Sequence, residues 1–174
     1  MRVTVTAGHG GGDPGATYAG LTEADLMAGL RDVVATKLRA AGHVVRTDGE
    51  GKVNRALSYA LTLIPGSGIA VDLHTNAFSN PSASGVEVVA KEGMKVPAQR
   101  LARAVAAALG LGVRGEAGWI PAARSQHSRL AYLTAGGMIL ETFFLSNPMD
   151  LASFLHNEDA VARAIASTLT EGSA

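Results

Sequence analysis

The chain has 174 residues, 47% of them hydrophobic and 17% charged, which suits one globular domain with a sizeable core. Fifteen basic residues against fifteen acidic ones leave no net charge, so a general polyanion-coating protein is excluded and recognition must be local. There is no cysteine, which excludes disulfides and thiolate metal sites and leaves His, Asp and Glu as the strong candidate ligands.

Arg2-Val3-Thr4-Val5-Thr6 reads as a strand, because β-branched side chains fit a pleated surface. The sequence then turns into Ala7-Gly8-His9-Gly10-Gly11-Gly12-Asp13-Pro14-Gly15, which sets a histidine among glycines at the carboxyl end of that strand. Ligands in open α/β sheets bind in the crevice beyond such strand ends. A phosphate cradle is one reading of the loop, but a nucleotide fingerprint should run straight into its helix, and Asp13-Pro14-Gly15 turns the chain away first. His9 as a metal ligand is the second reading, and a hydrogen-bonded loop histidine the third.

Thr22-Glu23-Ala24-Asp25 opens the first helix with an N-cap and an acidic first turn; Leu26, Leu30, Val33, Val34 and Leu38 follow on one face, and Gly42 ends it. His43–Thr47 is a second strand and Asp48–Gly51 a loop. The stripe Val53, Ala56, Leu57, Ala60, Leu61, Ile64 predicts a core-facing second helix, stopped by Pro65-Gly66. Ile69–Leu73 is a mostly apolar strand of the kind buried on both faces, ending at His74. A polar loop, Thr75–Ser82, leads to a strand over Gly85–Ala90. Pro97 suits the first turn of a third helix with the stripe Leu101, Ala104, Val105, Ala108, Leu109. From Gly110 to Ser128 there is no periodicity, and a long surface loop is expected. Leu130–Leu133 fits either a short strand or a helical turn. Gly137–Phe143 is a strand, and Ser146-Asn147-Pro148 caps a C-terminal helix whose face is Val161, Ala164, Ile165 and Leu169. Strands alternating with helices predict a single-domain, three-layer α/β fold with a mostly parallel, twisted sheet flanked by helices.

On these assignments His9, His74 and Glu141 lie at or near the carboxyl ends of three strands, with Glu23 in the first turn of the helix after the first. All four can face one crevice. Two imidazoles and a carboxylate are a common ligand set for a catalytic zinc, and a further carboxylate can serve as general base. Asp72, two residues before His74, points to the same face of a regular strand; it is either an acceptor for that histidine or a buried polar group bonded to backbone.

Four ordered motifs carry a family resemblance. Gly8-His9-Gly10-Gly11 with Asp13-Pro14-Gly15-Ala16, Leu21-Thr22-Glu23-Ala24-Asp25-Leu26, Leu73-His74-Thr75-Asn76-Ala77-Phe78, and Leu140-Glu141-Thr142-Phe143-Phe144-Leu145-Ser146-Asn147-Pro148 resemble those of the zinc-dependent N-acetylmuramoyl-L-alanine amidases of the amidase-3 type. The likeness implies one Zn2+ per chain held by His9, Glu23 and His74, with Glu141 catalytic. It implies hydrolysis of the amide between N-acetylmuramic acid and L-alanine in peptidoglycan. Arg46-Thr47-Asp48 and Arg55 resemble family positions that read as structural. The chain departs from the pattern at Ala7, where Asp-Pro often precedes the glycine motif, and at Asp72, where a small polar residue is usual. Asn76, Arg124 and His127 are candidate substrate contacts, and Trp119 a further one that reads more simply as part of a loop.

Two rivals stay open at this point: a zinc endopeptidase cutting within the stem peptide, and a non-catalytic cell-wall-binding module. The N-terminus lacks the pattern of a signal peptide, and no apolar run approaches bilayer length. The expectation is a monomeric catalytic domain over residues 1–174 with no separate wall-binding domain, no nucleic-acid partner and no membrane insertion. Synthesis in the cytoplasm and release by another protein would then match a single-module phage endolysin, with a bacterial autolysin exported by another route as the open alternative.

Overall fold

The computed structural model describes residues 1–124 and 129–171. The first strand, β1 (Arg2–Ala7), leads through the glycine loop to a two-residue hairpin, β2 (Thr17–Tyr18) and β3 (Leu21–Thr22), and then to α1 (Glu23–Ala40). β4 (Val44–Arg46), α2 (Leu57–Leu63), β5 (Ile69–Asn76) and β6 (Glu87–Ala90) follow. The chain continues through α3 (Lys95–Leu109), β7 (Trp119–Pro121), α4 (Arg129–Thr134), β8 (Met138–Phe144) and α5 (Pro148–Thr170).

The main sheet has six strands in the order β4-β1-β5-β8-β6-β7. The first four run parallel, β6 is antiparallel to β8, and β7 is parallel to β6. The predicted α/β architecture is therefore the observed one.

Side-chain alternation divides the strands into two unequal faces. Val3, Val5, Val71, Leu73, Met138 and Leu140 point into the larger core, together with apolar residues of α1, α3 and α5. Burying each such aliphatic side chain is worth about 1.5–3 kcal/mol, so this face carries most of the stability. The other face holds Ala70, Val89 and Ile139 against Ala60, Ile64, Tyr132 and Leu133, a much smaller cluster under two short helices. Thr4, Thr6, Asp72, His74 and Glu141 lie in the same rows as that second set, by alternation along β1, β5 and β8. Register places Thr6 beside Asp72, and His74 beside Glu141. The thinly covered face is thus the polar one, and it positions the site.

Both long terminal helices start as the sequence predicts. Thr22 Oγ1 accepts Asp25 N–H at 3.1 Å to cap α1, and Asn147 Oδ1 accepts Met149 N–H at 2.8 Å at the start of α5. Asp150, buried in the first turn of α5, accepts Phe144 N–H and the Ser84 hydroxyl, which ties the end of β8 to the loop before β6.

Three expectations are corrected. The second helix begins only at Leu57, and Val53 is exposed, because the residues before it are engaged elsewhere: Val53 C=O accepts from Arg31 and Asn54 donates to the glycine loop. The segment after Gly110 contains an edge strand, β7, whose Trp119 is buried and donates its indole N–H to Ala90 C=O at 3.0 Å. Trp119 therefore packs rather than facing a ligand. β5 does not stop at Leu73 but runs through His74 to Asn76, with a bulge between those two residues where it pairs with β8. The alternative left open for Leu130–Leu133 resolves as helix, in α4.

Candidate metal centre

His9 follows β1 in a backbone conformation, φ 68°, that a side chain rarely adopts. Holding a non-glycine residue there costs on the order of 1–3 kcal/mol, so the surroundings must enforce it. Asn54 does so through its side-chain amide, which reaches Ala7, Gly8 and His9 carbonyl oxygens at 3.3, 3.4 and 3.1 Å. Asn54 is itself reached by Arg31, whose guanidinium is fully buried and also donates to Asp48 Oδ1, Val53 C=O and Gly51 C=O. Asp48 in turn accepts the Ala7 N–H. The loop that carries His9 is therefore clamped from beneath.

Glu23, the first residue of α1, is buried and reaches both histidines. Its Oε2 lies 3.1 Å from His9 Nε2, and its Oε1 lies 3.0 Å from His74 Nδ1. One ligand atom from each of His9, Glu23 and His74 falls within 4.8 Å of the others, and this is the one such group among the described residues. The imidazole rings meet edge to face with centroids 5.2 Å apart. Two glycines make the approach possible. A Cβ on Gly8 would overlap the His74 ring, and one on Gly15 (φ 66°) would come within 2.7 Å of Glu23 Oε2.

The charges of the site are strongly coupled. Burial alone would lower the pKa of His74, but the carboxylates of Asp72, Glu23 and Glu141 outweigh it and raise it to about 10. Burial alone would raise that of Glu23, yet its hydrogen bonds and charge interactions with His74 and His9 hold it far below the usual carboxylate range. The Glu23 hydrogen bond raises His9 against the effect of burial, with help from Asp13, whose Oδ2 lies 2.8 Å from His9 Nδ1. A buried carboxylate facing one nitrogen of each of two imidazole rings is a cluster in which a divalent cation can take the place of the bridging protons. The donor set therefore fits a metal ion.

Glu141 sits on β8 beside His74, fully buried, three residues before the strand ends, and outside the ligand-atom group. A cavity of about 310 Å³ is lined by His9, His74, Asp72, Arg55, Leu57 and Tyr132, among others. Arg55 thus borders the site, where the sequence reading gave it a structural place. Asn76, the last residue of β5, donates its side-chain amide to Glu87 Oε1 at 3.1 Å. His127 lies outside the described residues, as does the side chain of Arg124. Sequence reading missed Arg31 and Asn54. Arg31 left a signal, a cation four residues after Met27 on the buried side of α1; Asn54 left none, because it fell inside an apolar stripe.

A family model described as N-acetylmuramoyl-L-alanine amidase (Amidase_3) matches residues 3–171. The chain belongs to the amidase-3 family. Among solved structures it is similar to a Neisseria meningitidis protein assigned as an N-acetylmuramoyl-L-alanine amidase, with 44% identity and a TM-score of 0.90 over 97% of this chain and 93% of that one. The catalytic domain of CwlV from Paenibacillus polymyxa shares the fold at 22% identity and a TM-score of 0.82, covering 98% of this chain and 97% of the other. So does the catalytic domain of CD27L, an endolysin targeting Clostridium difficile, at 23% identity and a TM-score of 0.73, covering 97% and 96%. No curated protein matches the sequence significantly. In this amidase-3 chain each of the four motifs brings one residue to the cluster or beside it: His9, Glu23 and His74 converge, and Glu141 pairs with His74 across the sheet.

Proposed function

We propose that this chain hydrolyses the amide joining N-acetylmuramic acid to the L-alanine of the peptidoglycan stem peptide, using one zinc ion held by His9, Glu23 and His74. The observation that carries this reading is the convergence of His9 Nε2, the Glu23 carboxylate and His74 Nδ1 beside Glu141, in a chain of this family. Two imidazole nitrogens and a carboxylate oxygen suit zinc and leave a coordination position open. When bound, zinc lowers the pKa of a coordinated water from about 16 towards 7 and polarises a substrate carbonyl.

The remaining chemistry belongs to Glu141. Its carboxylate takes the proton of the water whose oxygen bonds to the carbonyl carbon, and it returns that proton to the nitrogen of L-alanine as the C–N bond breaks. An amine leaves readily only when protonated, so the same residue serves first as base and then as acid. Register pairs Glu141 with His74 across β5 and β8, which sets both side chains on the same face of the sheet and supports this role.

Mass spectrometry of digested peptidoglycan tests the bond cut. Released stem peptides should begin with a free L-alanine amino group; fragments cut inside the stem would instead identify an endopeptidase. Lysis of the cell wall is the role this reading gives the chain, and loss of turbidity of purified sacculi measures it.

The charge arrangement also sets a pH dependence. The pKa of His74 in the metal-free fold is raised from 6.5 to about 10, so the stability it contributes is fully present below pH 6.5 and is lost as pH rises through about 10. Metal-free protein in chelator should therefore unfold at a lower temperature at pH 10 than at pH 7. His74→Gln should shrink that difference, and equal differences in both proteins would contradict the arrangement.

A further inference from the structure

We propose that Asp72 is a positioning residue that makes Nδ1, not Nε2, the nitrogen His74 presents to the metal. The inference rests on the metal reading above. Asp72 and His74 are two residues apart on β5, so both side chains leave the same face of the sheet. Asp72 Oδ2 lies 3.1 Å from His74 Nε2, and both groups are buried, 4% and 6% exposed.

The other oxygen of Asp72 is anchored. Thr6 donates to Asp72 Oδ1 at 2.6 Å, and the Thr6 hydroxyl lies 3.0 Å from the hydroxyl of Tyr132. Thr6 has one proton and gives it to Asp72, so the Tyr132 O–H is left to donate to Thr6. A chain of three side chains from β1, α4 and β5 thus fixes the carboxylate against the imidazole. A carboxylate is only an acceptor, so the nitrogen facing it must carry the proton. In the neutral ring the lone pair is then on Nδ1, 3.0 Å from Glu23 Oε1, where the other ligand atoms converge.

His9 has the mirrored arrangement, with Asp13 on Nδ1 and Glu23 towards Nε2. The two outer carboxylates differ in setting. The Asp13 side chain is 63% exposed and that of Asp72 is 6% exposed, so water competes with and screens the first far more than the second. Asp72 should therefore matter more.

The test uses the zinc-loaded protein. Long-range proton–nitrogen spectra of histidine-labelled wild type should show His74 protonated at Nε2 and metal-ligated through Nδ1. Asp72→Ala should weaken zinc binding, measured by chelator competition, by about ten- to a hundred-fold, the usual cost of losing such a partner. Asp72→Asn, which keeps an acceptor oxygen at the same reach, should recover part of that loss, and Asp13→Ala should cost less than Asp72→Ala. Zinc ligation through Nε2 in the wild type, or unchanged affinity in a folded Asp72→Ala, overturns the inference while leaving the metal site standing. A wild type that binds no zinc removes the metal reading and this inference with it. If Asp72→Ala fails to fold, the wild-type spectrum decides alone.

Discussion

Glu141→Gln should reduce peptidoglycan turnover by about a hundred- to ten-thousand-fold, the usual contribution of a positioned acid–base group. Zinc content and thermal unfolding should stay close to wild type. The substitution preserves size and can still hydrogen-bond, but an amide accepts no proton from water and delivers none to the leaving amine. His74→Ala should behave differently. It cuts a three-ligand site to two, so metal and activity should be lost together. Zinc occupancy and turnover measured on both variants separate the roles. An active, zinc-loaded Glu141→Gln would remove Glu141 as the base, and a zinc-free one would make it a ligand.

That His74 and Glu141 share one face of the sheet was legible in the sequence because both lie in strands with β-branched or aliphatic flanks, Ala70-Val71 before His74 and Ile139-Leu140 before Glu141, whereas their separate roles came only with the family resemblance. A period of two then fixes which residues share a face, and parallel pairing brings the faces together. Glu23 was legible for a similar reason, since Thr22 marks where α1 begins. What escaped was the support beneath the site. The apolar stripe from Val53 to Ile64 has helical spacing, but Arg31 needs the carbonyls of Gly51 and Val53, and tertiary hydrogen bonds to a buried cation override local propensity. Periodicity cannot report a partner 22 residues away. The same limit applies to Trp119, whose burial depends on β6 lying beside a three-residue strand that has no pattern of its own. Asp72 was intermediate: alternation placed it on the face of His74, but only the structure shows that its carboxylate meets the ring.

Arg31→Met should destabilise the protein by about 3–5 kcal/mol, as expected when one partner of a buried ion pair is removed and the other remains. Methionine keeps most of the length and apolar volume of arginine, so the loss isolates the guanidinium. Both side chains of the Arg31–Asp48 pair are 0% exposed, at 3.2 Å. Burial already pushes Asp48 up to about 6 despite Arg31, so losing the cation should push it higher. A raised folded-state pKa favours the protonated native form, so Asp48 contributes most below about 3.8 and that contribution fades as pH rises through the folded value. The deficit of Arg31→Met relative to wild type should therefore narrow when denaturant unfolding is repeated at pH 5 rather than pH 8. Adding Asp48→Asn should recover part of the loss at pH 8, because the uncompensated charge is gone, though the carbonyls of Gly51 and Val53 still lack their donor. The site should suffer with the fold. Asn54, no longer reached by Arg31, holds the carbonyls of Ala7, Gly8 and His9, and His9 keeps its strained backbone only while that clamp is firm. Zinc affinity of the folded variant should fall as well, and unchanged affinity alongside the lost stability would show that the loop holds its shape without the arginine.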